Sequence, residues 1–119
     1  MCGISGVLGD ITPDSFETVK RMTAALAHRG PDDGDTQSYA GAVLGHRRLS
    51  IIDLTQHGHQ PMESVSGRYV LTFNGEIYNF KELRRELEAD YAFRGKSDSE
   101  VLLAAYVKWG EKCLEKLNG

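Results

Sequence analysis

The chain has 119 residues, 40% of them hydrophobic, and a net charge of −3, enough for one compact domain with its own core. No basic stripe with interleaved aromatics is present, which removes nucleic-acid binding, and no apolar run reaches bilayer length, which removes a membrane span. There is no signal-peptide pattern, and the two cysteines, Cys2 and Cys113, form neither a CxxC pair nor a disulfide framework, so a reducing cytoplasm is the expected compartment.

In chain order, Cys2 to Leu8 reads as a short buried strand closed by Gly9-Asp10. Thr12-Pro13-Asp14 supplies a hydroxyl cap, proline at the first helical position and an early carboxylate. Phe16, Val19, Met22 and Leu26 then share one helical face until Gly30-Pro31 ends the helix. Thr36 to Asp53 is strand-like, with Gly41 and Gly45 as turn or bulge points. Gln56 to Gly67 is polar and reads as a loop. Arg68 to Phe73 alternates as a strand, with Tyr69, Leu71 and Phe73 on one side.

Asn79 with Glu82, and Ser97 with Glu100, form capping boxes for two helices. The first turns Phe80, Leu83 and Leu87 inward; the second aligns Leu102, Ala105, Tyr106 and Trp109. The tail from Glu111 predicts a short helical piece, with Gly119 as a C-cap signal. Strand, helix, strands, helices is an α+β order. With few strands to cover these helices, the chain is expected to be the front part of a larger domain.

Cys2 stands directly behind Met1. As a side chain in a strand it is a small hydrophobe; once Met1 is removed it carries a thiol and an α-amine on one residue. Asn74-Gly75 follows an alternating strand and is ordinarily a hairpin signal. A return arm of only Glu76 to Tyr78 is too short, so the pair reads as a strand end. There a side-chain amide and a backbone N–H become two neutral donors, the equipment of an oxyanion hole.

Arg47 and Arg48 lie in a strand-like run and point to opposite faces. One is available as a fork for a carboxylate, although two surface arginines explain the pattern equally well. Asp98 suits a helix N-terminus or an ammonium ligand, and Glu76 is a strand-end charge or a second acceptor. His57 and His59 have no further metal ligand at a recognisable spacing. His28 and His46 read as partners of backbone groups, and Cys113 as a packing residue. A thiol with its own amine, an oxyanion hole, one cation and two anions together suit an α-amino acid with an acyl side chain.

MCGISG, HRGPD (28–32), HRRLSIID (46–53), FNGEIYN (73–79) and KSDSE (96–100) resemble, in this order, the N-terminal glutaminase domain of asparagine synthetases. That domain is a class II glutamine amidotransferase of the N-terminal-nucleophile (Ntn) hydrolase type. The resemblance implies a four-layer α/β/β/α sandwich, incomplete in residues 1–119, with further strands and an ATP-dependent synthetase domain beyond them. It implies Cys2 as nucleophile after loss of Met1, with its α-amine as general base. Thiol and α-amine titrate close enough for nearly isoenergetic proton transfer. Retention of Met1 would make the chain a precursor.

Asn74 and Gly75 would form the oxyanion hole. Arg48, rather than Arg47, would take the glutamine carboxylate. Leu49, Ser50, Ile51 and Ile52 would line the site largely through backbone, and Glu76 and Asp98 would hold the ammonium. The implied reaction is glutamine hydrolysis through a γ-glutamyl thioester, supplying ammonia for asparagine synthesis from aspartate. No cofactor or metal is implied in this domain, ATP and Mg²⁺ belonging to the synthetase domain. The implied partners are L-glutamine and a synthetase domain or subunit, with a homodimer of the full-length protein left open. A non-catalytic or partner-binding fragment, and a glutaminase serving another acceptor, remain as alternatives.

Overall fold

The computed structural model describes all residues from Met1 to Gly119. They form two compact units: Met1–Ser50 with His59–Pro61 and Thr72–Asn74, and Ile51–Gly58 with Met62–Leu71 and Gly75–Gly119. The architecture is mixed α+β.

The first unit is a three-stranded antiparallel sheet carrying one helix. Its strands are β1 (Gly3–Leu8), β2 (Asp33–Tyr39) and β3 (Ala42–Arg48), in the order β1-β3-β2. β3 is central and pairs Gly3 with Arg47 on one side and Asp33 with Arg48 on the other. Gly41, at φ +75°, makes the tight β2–β3 turn that a side chain would strain. The expected strand 36–53 is thus a hairpin that starts earlier, at Asp33, and stops at Arg48.

Helix α1 (Pro13–Ala25) starts at the predicted Thr12 cap, whose N–H donates to Ser15 Oγ at 3.1 Å. Its buried face runs through Val19 and Thr23, with Phe16 and Leu26 half-buried and Met22 exposed. The predicted stripe therefore needs one correction: Thr23 takes the place given to Met22. Thr23 Oγ1 donates to the Val19 carbonyl at 2.8 Å and meets Ser5 Oγ at 2.9 Å, so its hydroxyl is buried with partners. Gly45 lies under this hydroxyl, where a Cβ would collide with Thr23 Oγ1. It sits in register between Ser5 and Thr36, so it is a point of close helix–sheet approach and not the expected turn or bulge.

β1 also departs from expectation. Gly3 is buried, but Ile4 and Leu8 are 50% and 77% exposed. An edge strand with α1 on one face buries only alternate residues, so it is not a fully buried strand.

The second unit holds β4 (Met62–Glu63), β5 (Val70–Leu71), α2 (Phe80–Leu87) and α3 (Asp98–Trp109), with 3₁₀ turns at Gln56–Gly58 and Gly110–Lys116. The segment 56–67, expected to be all loop, contributes β4, and the expected strand 68–73 shrinks to β5, with which β4 pairs. Leu83 and Leu87 are buried as predicted. On α3 the buried apolar residues are Val101, Leu103, Ala104 and Ala105, while Tyr106 is exposed and meets Tyr69 edge-on at 5.3 Å. Of the predicted face, Ala105 is buried, Leu102 and Trp109 are half-buried and Tyr106 is exposed. Cys113 is fully buried, as a packing residue should be, and burial pushes its thiol pKa up.

Neither capping box closes as drawn. Ser97 Oγ does accept from Glu100 N–H at 3.2 Å, but the Glu100 carboxylate turns to the preceding loop. Asn79 makes no side-chain cap; its amide donates to Lys116 O at 2.8 Å and accepts from Asn118 N at 3.0 Å. Gly119 caps no helix, since the last turn ends at Lys116 with Leu117 extended. The positive-φ glycine at a helix end is Gly110, behind α3.

Gly30 packs on the peptide between Arg47 and Arg48, where a Cβ would overlap backbone that has no room to yield. Gly30→Ala is expected to cost about 1–3 kcal/mol, measured as a lower melting temperature.

Candidate active site

Cys2 lies one residue before β1, beside the end of β3. Its Sγ accepts from the Leu49 N–H at 3.4 Å and stands 3.9 Å from the Leu49 carbonyl. The β1–β3 register brings this about, because pairing Gly3 with Arg47 carries Cys2 alongside the residues just beyond the strand. Sequence reading placed both Cys2 and Leu49 in the site, and the structure brings them together.

The motif around Gly30 holds this corner. Arg29 Nε donates to Cys2 O at 3.4 Å, and Asp32 N–H donates to Arg48 O at 3.1 Å. Asp32 Oδ2 accepts from Ser50 N–H at 2.8 Å. Arg47 Nε donates to Gly30 O at 2.8 Å. The connections of Arg29 and Asp32 depend on sheet register, which local sequence does not display.

Arg47 and Arg48 do point to opposite faces. Arg47 spends its Nε on Gly30 O, while Arg48 is buried on the face that also carries His46. His46 is 1% exposed; its Nε2 lies 3.1 Å from Phe73 O, and its buried Nδ1 has no hydrogen-bond partner. Burial, the largest influence, drives its pKa below the ordinary histidine value, and nearby Arg48 adds to this. His46 is a neutral Nε2–H donor. His28 likewise meets the Ala25 carbonyl at 3.1 Å.

Phe73 N–H donates to Gln60 Oε1 at 2.6 Å. Asn74 follows, exposed, and no hairpin forms at Asn74-Gly75. Cys2, Arg48, Leu49, Ser50 and Asn74 thus belong to the first unit.

Gly75, Glu76, Asp98, Ile51 and Ile52 belong to the second. Asp98 Oδ2 accepts from Ile77 N–H at 3.0 Å and Oδ1 from Ser99 N–H at 2.9 Å. The buried carboxylate is therefore tied to the residue next to Glu76, which is exposed. Both Ile51 and Ile52 are exposed.

The loop before Asp98 is held by two buried acids. Glu100 accepts from Arg94 N–H and Gly95 N–H, each at 2.8 Å, and Asp53 Oδ2 accepts from Lys96 N–H at 2.8 Å. Three successive N–H groups are satisfied by two carboxylates, which lets charged groups sit inside. The SDSE run carried a capping signal for Glu100, but nothing local pointed to Asp53.

His59 is clasped between carboxylates: Nδ1 is 2.6 Å from Asp33 Oδ2, and Nε2 is 3.1 Å from Asp35 Oδ2. Burial alone would lower its pKa, but the hydrogen bonds to Asp33 and Asp35 outweigh it, and the value rises. Burial similarly opposes, and the bonds to Gln37 and His59 overcome, a lowered pKa for Asp35. The pair of histidines singled out by spacing therefore separates, with both His59 ring nitrogens engaged by carboxylates.

The chain belongs to the family of glutamine amidotransferase domains, which it matches over residues 1–119. It is 44% identical over 124 aligned residues to asparagine synthetase (glutamine-hydrolyzing) 1 of Bacillus subtilis (strain 168), and 40% identical over 124 to number 3 of that organism. It is 41% identical over 122 aligned residues to asparagine synthetase B (glutamine-hydrolyzing) of Escherichia coli (strain K12). Each alignment takes in 100% of this chain but only 20–22% of the relative, so the chain spans about a fifth of their length. No helix is long and apolar enough to cross a membrane.

The two shifted histidines act oppositely on stability. His59, with its raised pKa, stabilises fully below its unfolded value near 6.5, and this is lost as pH rises through the folded value. Asp35, with its lowered pKa, stabilises above 3.8 and loses this as pH falls through the folded value. His46, buried and neutral, withdraws stability as pH falls below 6.5. His59→Gln is therefore expected to destabilise most between pH 3.8 and 6.5 and progressively less above it, in thermal melts across pH.

Proposed function

We propose that the chain hydrolyses glutamine through Cys2 and thereby supplies ammonia to a synthetase portion that makes asparagine from aspartate. The observation that carries this is the Cys2 thiol held against the Leu49 backbone, next to buried Arg48, in a member of the glutamine amidotransferase family. The names of the relatives support the acceptor.

Met1 is 69% exposed, which suits its removal, and the small side chain of Cys2 permits it. The freed α-amine takes the thiol proton while sulfur attacks the glutamine side-chain carbon. Asn74 Nδ2 and the Gly75 N–H hold the resulting oxyanion. Collapse of the adduct breaks the C–N bond, and the α-ammonium gives its proton to the departing ammonia. Water, its proton taken by the same amine, then cleaves the γ-glutamyl thioester to glutamate and restores the thiol.

In this reading Arg48, buried on the face opposite Arg47, takes the substrate carboxylate. Glu76 and Asp98 take the ammonium, and the backbone of 49–52 lines the site. Residues 1–119 are then part of an Ntn-type four-layer sandwich. A sheet covered by α1 on one face, with Ile4 and Leu8 exposed on the other, suits an inner layer of that fold. The chemistry draws on the chain's own side chains, α-amine and backbone groups; ATP and Mg²⁺ serve the synthetase portion, and a reducing cytoplasm keeps the thiol available.

Cys2→Ala is expected to lower ammonia release from glutamine by at least about a thousandfold, and normal turnover would refute the assignment. A glutamine analogue with an electrophilic side chain should label Cys2 and leave buried Cys113 untouched, read by peptide mass spectrometry. Arg48→Ala should reduce kcat/KM by at least about thirtyfold, the equivalent of about 2 kcal/mol for a lost charged pair.

A further inference from the structure

We propose that His46 and Gln60 are positioning residues that fix the Phe73 peptide from two sides and so aim Asn74, an inference that rests on the oxyanion role given to Asn74 above. β5 ends at Leu71, so residues 72–74 have no strand partner, and the Phe73 N–H and C=O would be orphaned by the end of the ladder. Side chains replace the missing strand. Gln60 Oε1 accepts from the N–H at 2.6 Å, and His46 Nε2 donates to the carbonyl at 3.1 Å. Gln60 is 4% exposed and His46 1%.

Each partner is anchored. His46 sits in central strand β3, paired with Ile4 on one side and Asp35 on the other. Gln60 follows His59, whose ring is clasped by Asp33 and Asp35 of β2. The sheet therefore reaches Asn74 by two short routes that meet at one residue. Both partners are neutral: a protonated His46 would bury an Nδ1–H without an acceptor. Two neutral groups fix the backbone without placing a charge beside the developing oxyanion. A donor misplaced by about 1 Å costs about a hundredfold in rate, so this hold governs transition-state binding more than ground-state binding.

The test compares, in the natural gene product, inhibition by the γ-semialdehyde of glutamate with inhibition by glutamate. The aldehyde forms a tetrahedral adduct with the thiol and calls on the oxyanion donors; glutamate does not. Both inhibition constants are independent of how much of a preparation is folded. His46→Leu and Gln60→Met are expected to raise the aldehyde constant by about tenfold or more, with glutamate changed by less than about threefold. His46→Gln, which retains a neutral donor at a similar reach, should restore the discrimination.

Equal shifts for both inhibitors, or none, would overturn the proposal. Because the variants act on one peptide from opposite sides, loss of the fold in one leaves the other to decide. In the unaltered protein the Phe73 amide should be protected from hydrogen exchange, and rapid exchange would also overturn it. Turnover surviving in Cys2→Ala would instead defeat the glutaminase reading itself.

Discussion

The first unit depends on the antiparallel pairing of β1 with β3. Gly3 opposite Arg47 places Cys2 alongside Leu49, the first residue after Arg48. A slip by one residue would exchange the faces of β1, taking Ser5 away from Thr23 and leaving two hydroxyls without each other. The hydroxyl cluster under α1 and the position of the thiol therefore record the same register. Gly45 makes it possible by letting Thr23 come down onto the sheet.

The second unit solves a different problem. Its loop before α3 presents consecutive N–H groups that no strand can pair, and buried Glu100 and Asp53 accept from them. Asp98 uses the same chemistry on Ile77. Placing acids at the start of α3 also suits the helix dipole, so helix initiation and loop closure draw on one run of residues. Gly95 belongs to this arrangement: a Cβ there would press on Asp53 and His57.

Much of this was legible in the sequence, for reasons specific to each element. The Thr12-Pro13 start of α1, the Leu83 and Leu87 face of α2 and the Ser97 cap of α3 follow from local rules, and the structure keeps them. Cys2 and Leu49, each given a place in the site by the resemblance, lie side by side. What local rules missed is tertiary. Thr23 outranked Met22 because its hydroxyl found Ser5 across the sheet, and Asn79 left its cap for the backbone near Lys116. Glu100 turned from Ser97 to Arg94 and Gly95. The contacts of Asp32 with Ser50, Asp53 with Lys96, and His59 with Asp33 and Asp35 gave no local signal because each spans 18 or more residues.

The exposed Asn74-Gly75 step carries a chemical liability alongside its proposed role. Asn-Gly is the dipeptide most prone to succinimide closure, since glycine leaves its nitrogen free to reach the side-chain carbonyl. Deamidation there would exchange a donor for an anion, turning a cradle for negative charge into a source of repulsion. The bonds at Phe73 hold the peptide before Asn74, one residue short of the rotation that closure requires, so the hold that orients the amide does not extend to its ageing.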